Sequence, residues 1–588
     1  MRVTDYIAQF IYCQGVDTVF LVSGGGAMFL DDGLACNSNL KKICCHHEQA
    51  AGMAAVGYAK YSGLGCAYVT TGCGGTNAIT AVLQAWQDST PCIFISGQIK
   101  RSQTIRNSGL ALRQFGVQEA DIIALVSPIV KYAEMVNESN DIALHLEKAV
   151  YLAKSGRPGP VWLDIPMDVQ SAVIDESGLS HFTGAQSEPA PSREEYAKLT
   201  DLIKKAKRPV IVAGQGIRLA NTRKELSDFI NLHKIPVASP YLGVGVLPTT
   251  DPLYTGVIGL RGSRAGNYTI QNADLLLVLG SRLSVSSTGH EYELFAPNAH
   301  IAVVDVDPVE HSKNTIHIDT FIHSELKEFF KGFPNFDYVA DSVWTAQCLA
   351  WKEKYPVCLP EYVNDEDGIN LNYFVKILSE NMNDTDVVVS DAGSSAFVTS
   401  QTIEIRNTTQ RYIASGGQME MGFTLPGTIG VSAARNKERV IGITGDGSLQ
   451  MNLQELQTLI YNKIPVKLFV WNNDGYLSIR ATQMKFFEGR FFGTDSESGV
   501  SFPSIEKLAL CYGLPYVRIE KSRQLSEKIS QVLSTDGPVL CEVICQKNQV
   551  IVPCVTSKLM PDGKLVSMPI DNMFPFLPDE EHALNTLW

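Results

Sequence analysis

The sequence predicts an α/β protein made of three doubly wound domains with parallel sheets. Three observations carry that expectation. Short apolar runs closing on glycine, serine or an acid recur along the chain and alternate with segments of helical spacing. At 588 residues the chain exceeds a single core, which stops growing near about 250–300 residues. Two stretches without strong period, near 181–192 and 332–366, read as the connections between the three units.

Composition narrows the class. Apolar residues make up 45% and charged residues 19%, an ordinary globular balance with ample core. A net charge of −13 argues against nucleic acid as partner. No apolar run reaches the roughly 18–20 residues that cross a bilayer, so no membrane role is expected. Met1 to Tyr6 has no signal or transit character, and a cytoplasmic location is expected. The 13 cysteines show neither CxxC nor Cys/His ligand spacing. Cys44-Cys45-His46-His47 cannot converge on one ion, because neighbours on a strand point to opposite faces. Reduced, mostly buried thiols are expected.

The first domain, residues 1–180, holds Val19–Val22 closing on Ser23-Gly24-Gly25-Gly26, Cys66–Thr70 closing on Thr71-Gly72, Pro91–Ser96 closing on Gly97, and Pro160–Pro166. Repeated strand, glycine turn and helix is the doubly wound pattern. The second, residues 190–335, repeats it with Arg208–Ala213 before Gly214-Gln215-Gly216, Ala273–Leu279 before Gly280-Ser281-Arg282, and His300–Val304 before Asp305-Val306-Asp307. Strands ending in glycine or an acid suggest a nucleotide pocket there. The third, residues 365–555, contains Asp391-Ala392-Gly393-Ser394-Ser395, Ser415 to Gly422, and a βαβ unit. The tail, 556–588, is apolar but broken by proline, and is expected to lie over the site.

That βαβ unit carries the chemistry. Val440–Thr444 reads as a buried strand ending in Gly445-Asp446-Gly447-Ser448, Leu449–Lys463 as a helix, and Val466–Val470 as a strand ending in Trp471-Asn472-Asn473-Asp474-Gly475. Asp446 and Asn473 thus stand at carboxyl ends of strands, where ligands of open sheets collect. A carboxylate from Asp446, an amide oxygen from Asn473 and the Gly475 carbonyl leave room for two phosphate oxygens and a water around Mg²⁺. Gly445 and Gly447 let backbone approach the phosphate, with Ser448 and the helix start as donors.

The string from GDGS to NN resembles the motif of thiamine-diphosphate enzymes, and nearly the whole chain resembles their acetolactate synthase group. The resemblance implies a pyrimidine-binding domain, a central domain and a diphosphate-binding domain, in that order. It implies thiamine diphosphate and Mg²⁺ as cofactors, with Asp446, Asn473 and Gly475 on the metal. It also implies a homodimer or homotetramer whose sites lie between one subunit's first domain and another's third. Glu48 matches the family's essential acid, which hydrogen-bonds the pyrimidine ring and favours the tautomer that deprotonates the thiazolium carbon. Gly25 and Gly26 match the loop facing the reactive carbon, and Gln118 the glutamine near the substrate. Met421 matches the wedge beneath the rings. Met419, where the family often has glycine, would offer its carbonyl to the aminopyrimidine. Gly393, Ser394, Ser395, Tyr476 and Leu477 complete the cofactor contacts so implied.

The group also carries FAD without net redox work, and FAD is expected here. Gly214, Gly216, Gly259, Arg261, Gly280, Arg282, Asp305 and Val306 resemble its contacts, the arginines facing pyrophosphate. Two departures bear on the substrate. Ser286 stands where acetolactate synthases have an arginine facing the acceptor carboxylate, and Thr482 where they have a tryptophan. Arg480 compensates only if it points inward. The implied reaction decarboxylates pyruvate or a similar 2-ketoacid and adds the two-carbon unit to a carbonyl acceptor, which the departures point towards a ketone or nucleotide keto-sugar. Acetolactate synthase proper and a simple 2-ketoacid decarboxylase are the alternatives. A non-catalytic nucleotide-binding regulator is a third reading, opposed by intact Glu48, Asp446 and Asn473.

Overall fold

A computed structural model describes residues 1–184, 186–364, 366–560 and 563–588. Residue 365, where the third domain is expected to open, lies outside them. The first sheet comprises β1 (Thr18–Leu21), β2 (Lys41–Cys44), β3 (Gly65–Val69), β4 (Cys92–Gln98), β5 (Tyr132–Met135) and β6 (Pro160–Pro166), in the order β2-β1-β3-β4-β6-β5. The second comprises β7 (Pro209–Ala213), β8 (Val237–Ser239), β9 (Tyr254–Val257), β10 (Leu275–Leu279), β11 (His300–Asp305) and β12 (Thr320–His323), in the order β12-β11-β10-β7-β8-β9. The third comprises β13 (Val387–Ser390), β14 (Arg411–Ala414), β15 (Val440–Gly445), β16 (Val466–Asn472), β17 (Tyr516–Ile519) and β18 (Val539–Ile544), in the order β14-β13-β15-β16-β18-β17. Every pairing within the three sheets is parallel. The α/β class of three parallel-sheet domains is the architecture found.

The central strands are apolar along their length because helices cover both faces. Strand order reverses between β1 and β3, between β7 and β10, and between β13 and β15. A crevice opens at each reversal beyond the carboxyl ends of the strands, the place where such sheets bind ligands.

The first and third domains meet through helix Glu48–Ser62 and helix Thr424–Ala434. A methyl group built on Gly57 would lie 2.5 Å from the Gly427 carbonyl, and one on Gly430 only 1.9 Å from that of Ala54. The small residues of both helices therefore serve backbone-to-backbone approach.

Two parts of the chain depart from the sequence reading. Within the presumed connection, Ser342–Lys354 is a helix whose Trp344, Cys348 and Trp351 are buried on the central domain. Trp344 donates its indole N–H to the Pro209 carbonyl at 3.0 Å, so the central domain extends past residue 335. The end of the tail also packs there rather than over the diphosphate crevice. Helix Arg264–Gln271 is buried on all sides, and its amides need acceptors. Asn267 donates to the Ile570 carbonyl at 2.7 Å, Asn272 to that of Asn585 at 2.9 Å, and Trp588 lies under the Arg208 guanidinium at 3.7 Å. Among the described residues no helix is long and apolar enough to cross a membrane.

Candidate active site

The third-domain crevice is built from the ends of β13, β15 and β16. Beyond β15 the chain makes one helical turn, Asp446–Leu449, then a 3₁₀ turn, Gln450–Asn452, before helix Glu455–Asn462. The single expected helix is thus broken near its start. Asp446 is buried, accepting from Gly447 N at 2.8 Å and Gly475 N at 3.0 Å. Burial pushes its carboxyl up to about 6. Gly475 is at φ +128°, and a methyl there would fall 2.0 Å from the Thr494 carbonyl, so only glycine closes this turn. Asn473 is buried, and its side-chain oxygen has no hydrogen-bond partner. A desolvated carboxylate beside an orphaned amide oxygen is a donor set for a hard divalent cation. The residues present fit Mg²⁺ with a diphosphate.

Ser448 does not direct its hydroxyl at a phosphate. It donates to Asp391 Oδ2 at 2.6 Å and accepts from Gly422 N at 2.8 Å. Ser395 donates to the other Asp391 oxygen at 3.0 Å, and Thr444 to Oδ2 at 3.1 Å. Fully buried Asp391 therefore ties together the ends of β13 and β15 and the segment that carries Met419 and Met421. Met419 sits at φ +50°, and Met421 is 38% exposed. Gly393 and Ser394 open helix Gly393–Thr402; Leu477 opens Leu477–Phe486 with Tyr476 as its cap. Arg480, buried, donates to the carbonyls of Asp474 at 2.7 Å, Asn473 at 2.8 Å and Lys547. It holds the loop of Asn473 and Asp474 through their backbone. Neither role was read from the sequence. The available signal was an acid ending β13 and an arginine following NNDG.

Glu48 lies in the first-domain crevice as the first residue of its helix, buried, with Oε2 accepting from Asn77 at 2.9 Å. His47 caps that helix, its Nδ1 accepting from Gln49 N. Gly26 N donates to Thr70 at 3.1 Å, and Gly25 is exposed. Gln118, at φ +61°, is exposed, with its carbonyl against Gly72. Among the described residues no hydrogen bond links Glu48 to Asp446 or Asn473.

The central-domain cleft encloses about 450 Å³ and is lined by Gly216, Gly280, Arg282, Asp305 and Val306. Gly214 supports it, packed on the Gly280 carbonyl. Gly259 and Arg261 are not brought to it. Gly259 is pressed against the Ser286 backbone, and Arg261 donates to the Ile551 carbonyl at 2.9 Å.

Comparison with known families places this geometry. The chain matches the thiamine pyrophosphate enzymes in all three of their domains: the N-terminal TPP binding domain over residues 1–125, the central domain over 196–332 and the C-terminal TPP binding domain over 391–543. It belongs to the thiamine pyrophosphate enzyme family, within the acetolactate synthase group. It is 32% identical to the acetolactate synthase large subunit of Lactococcus lactis, over 95% of each chain. To the chloroplastic acetolactate synthase of Arabidopsis thaliana it is 31% identical, over 94% of this chain and 82% of that one. Against the isozyme 2 large subunit of Escherichia coli identity is 29%, over 94% and 97%.

Proposed function

We propose that the chain decarboxylates pyruvate or a similar 2-ketoacid and joins the two-carbon unit to a carbonyl acceptor. The observation that carries this reading is the orphaned Asn473 oxygen beside the buried Asp446 carboxylate. Asp446, Asn473 and the Gly475 carbonyl would hold Mg²⁺ and, through it, the diphosphate. Thiamine diphosphate, when bound, supplies a carbon nucleophile and an electron sink for the decarboxylation. Glu48, kept in place by Asn77, holds a proton at the pyrimidine ring. Met421 would support the cofactor rings, and Gln118 and Gly25 would flank the substrate.

Glu48 belongs to one domain and the metal group to another. In a single chain Val117 is 83% and Phe492 84% exposed, apolar surface that a second subunit would cover. A homodimer or homotetramer in the cytoplasm is the assembly we infer. The acceptor lacks a carboxylate in this reading. Arg480 is committed to three carbonyls, and the Ser286 hydroxyl pairs with Ser284 at 2.7 Å, so neither offers a cation. A ketone or nucleotide keto-sugar fits better than a second ketoacid. The central cleft suits the nucleotide half of FAD, through Arg282 and Asp305; Gly259 and Arg261 drop out of that assignment.

The test is a product screen with pyruvate, alone and with ketones or nucleotide keto-sugars. Carboligation only with an added acceptor is expected. Fast, high-affinity acetolactate formation from pyruvate alone overturns the acceptor assignment. Flavin absorbance in the purified protein decides the FAD reading.

A further inference from the structure

A second cavity, of about 540 Å³, opens where the three domains meet. Its wall carries Lys60 and Lys154 from the first domain, Arg218 and Arg223 from the central domain and Arg411 from the third. Among the described residues no aspartate or glutamate lines it, in a chain whose net charge is −13. Lys60 is neutralised by Asp88 at 2.6 Å. The three arginines hydrogen-bond to backbone carbonyls and, among the described residues, pair with no carboxylate, and Arg411 lies 5.4 Å from the centre of the Tyr61 ring. Arg218 donates to Val244 at 3.3 Å; Arg223 donates to Val246 at 3.1 Å and Thr408 at 2.9 Å; Arg411 donates to Tyr61 at 3.1 Å and to Lys60. Arg218 Nε, Arg223 Nη2 and Arg411 Nε are buried without any acceptor. Burial, then the neighbouring guanidinium charges, pushes Arg218 well down and Arg411 down to about 10.

Three like charges gathered without a counter-ion, each with an N–H to spare, form an unfinished ion-pair network. Guanidinium forks match phosphate oxygens. The volume is that of a small-molecule site, and Tyr61, Tyr241 and Tyr412 give it aromatic walls. We propose that this cavity binds a phosphorylated small molecule through Arg218, Arg223 and Arg411. It shares a rim, including Lys154, Gln215 and Tyr241, with the central cleft, but Arg218, Arg223 and Arg411 line the second cavity alone.

The test is calorimetric titration of the protein, saturated with thiamine diphosphate, Mg²⁺ and FAD so that the central cleft is filled, with AMP and with inorganic phosphate at fixed ionic strength. AMP is expected to bind one site with Kd below about 1 mM. Arg218→Gln and Arg223→Gln should each weaken it at least about tenfold, one lost charge-assisted contact. Inorganic phosphate should bind more weakly than AMP at the same site and lose affinity in the same two variants. No saturable AMP binding in the millimolar range overturns the proposal. So does AMP binding seen only when FAD is omitted, or unchanged binding in a folded Arg223→Gln protein.

Discussion

Removing the Lys60 ammonium isolates what holds the cofactor segment in register. Lys60 Nζ lies 2.6 Å from Asp88 Oδ2 and 2.8 Å from the Ala414 carbonyl, with the two side chains 5% and 0% exposed. The same carboxylate accepts from Gly416 N at 3.0 Å and Gly417 N at 2.7 Å, joining the first domain to the turn that runs into Met419 and Met421. Lys60→Met leaves a buried carboxylate with two backbone donors and no counter-charge. Breaking a buried pair from one side costs about 3–5 kcal/mol. Part of that cost should appear as looser cofactor binding, because a turn held correctly only a tenth of the time weakens affinity about tenfold. The double variant Lys60→Met, Asp88→Asn buries no charge and should recover most of the loss. The assay is a double-mutant cycle on the thiamine diphosphate Kd, read by fluorescence quenching, with thermal midpoints alongside. If Lys60→Met binds cofactor and melts like the parent, or if the two losses simply add, the positioning argument is refuted.

Three further outcomes follow from the same geometry. Glu48→Gln keeps the oxygen that accepts from Asn77 but cannot hold the proton; turnover should fall at least about a hundredfold with cofactor affinity retained, measured by steady-state kinetics beside binding. Asp446 titrates near about 6, so its ionised fraction falls from about nine-tenths at pH 7 to about one-tenth at pH 5; the Mg²⁺ concentration for half-saturation should rise about tenfold, and a change under twofold contradicts the assignment. Asp164, wholly buried and raised to about 7 by desolvation, binds its proton more tightly folded than unfolded, so stability falls as pH rises from about 4 to 7. Scanning fluorimetry across that range should show a shallower decline in Asp164→Asn; an unchanged slope would place the titration elsewhere.

What the sequence made legible was whatever is local. Strands buried on both faces read as apolar runs, and the strings around Asp446 and Asn473 name their own chemistry, because one βαβ unit brings them together. The helix at Ser342–Lys354 was legible in principle: 344, 348 and 351 keep helical spacing, but Ala346, Leu349 and Ala350 between them spread the apolar positions around the helix and blurred the stripe. The tail was not legible. Its docking depends on buried amides at Asn267 and Asn272, more than 300 positions away, and no periodicity in a proline-broken segment announces such partners.

The residues missed around the site share one physical character. Asp391, Arg480 and Asp88 each bury a charged side chain and direct it to backbone or hydroxyl groups and, for Asp88, to the Lys60 ammonium, in place of substrate. Such groups are costly to desolvate, and the hydrogen bonds they make offset that cost. Here the groups they meet belong to Gly416, Gly417, Asn473 and Asp474, with Gly422 reached from Asp391 through the Ser448 hydroxyl, turns with little side chain to lock them by packing. Glycine-rich backbone lets a diphosphate approach closely and for the same reason is free to move. Charges buried behind it restrain that motion without occupying the space the cofactor needs. Asp88 lies 328 positions from the turn it restrains, so motif spacing cannot reveal it, whereas the folded sheets bring it there directly.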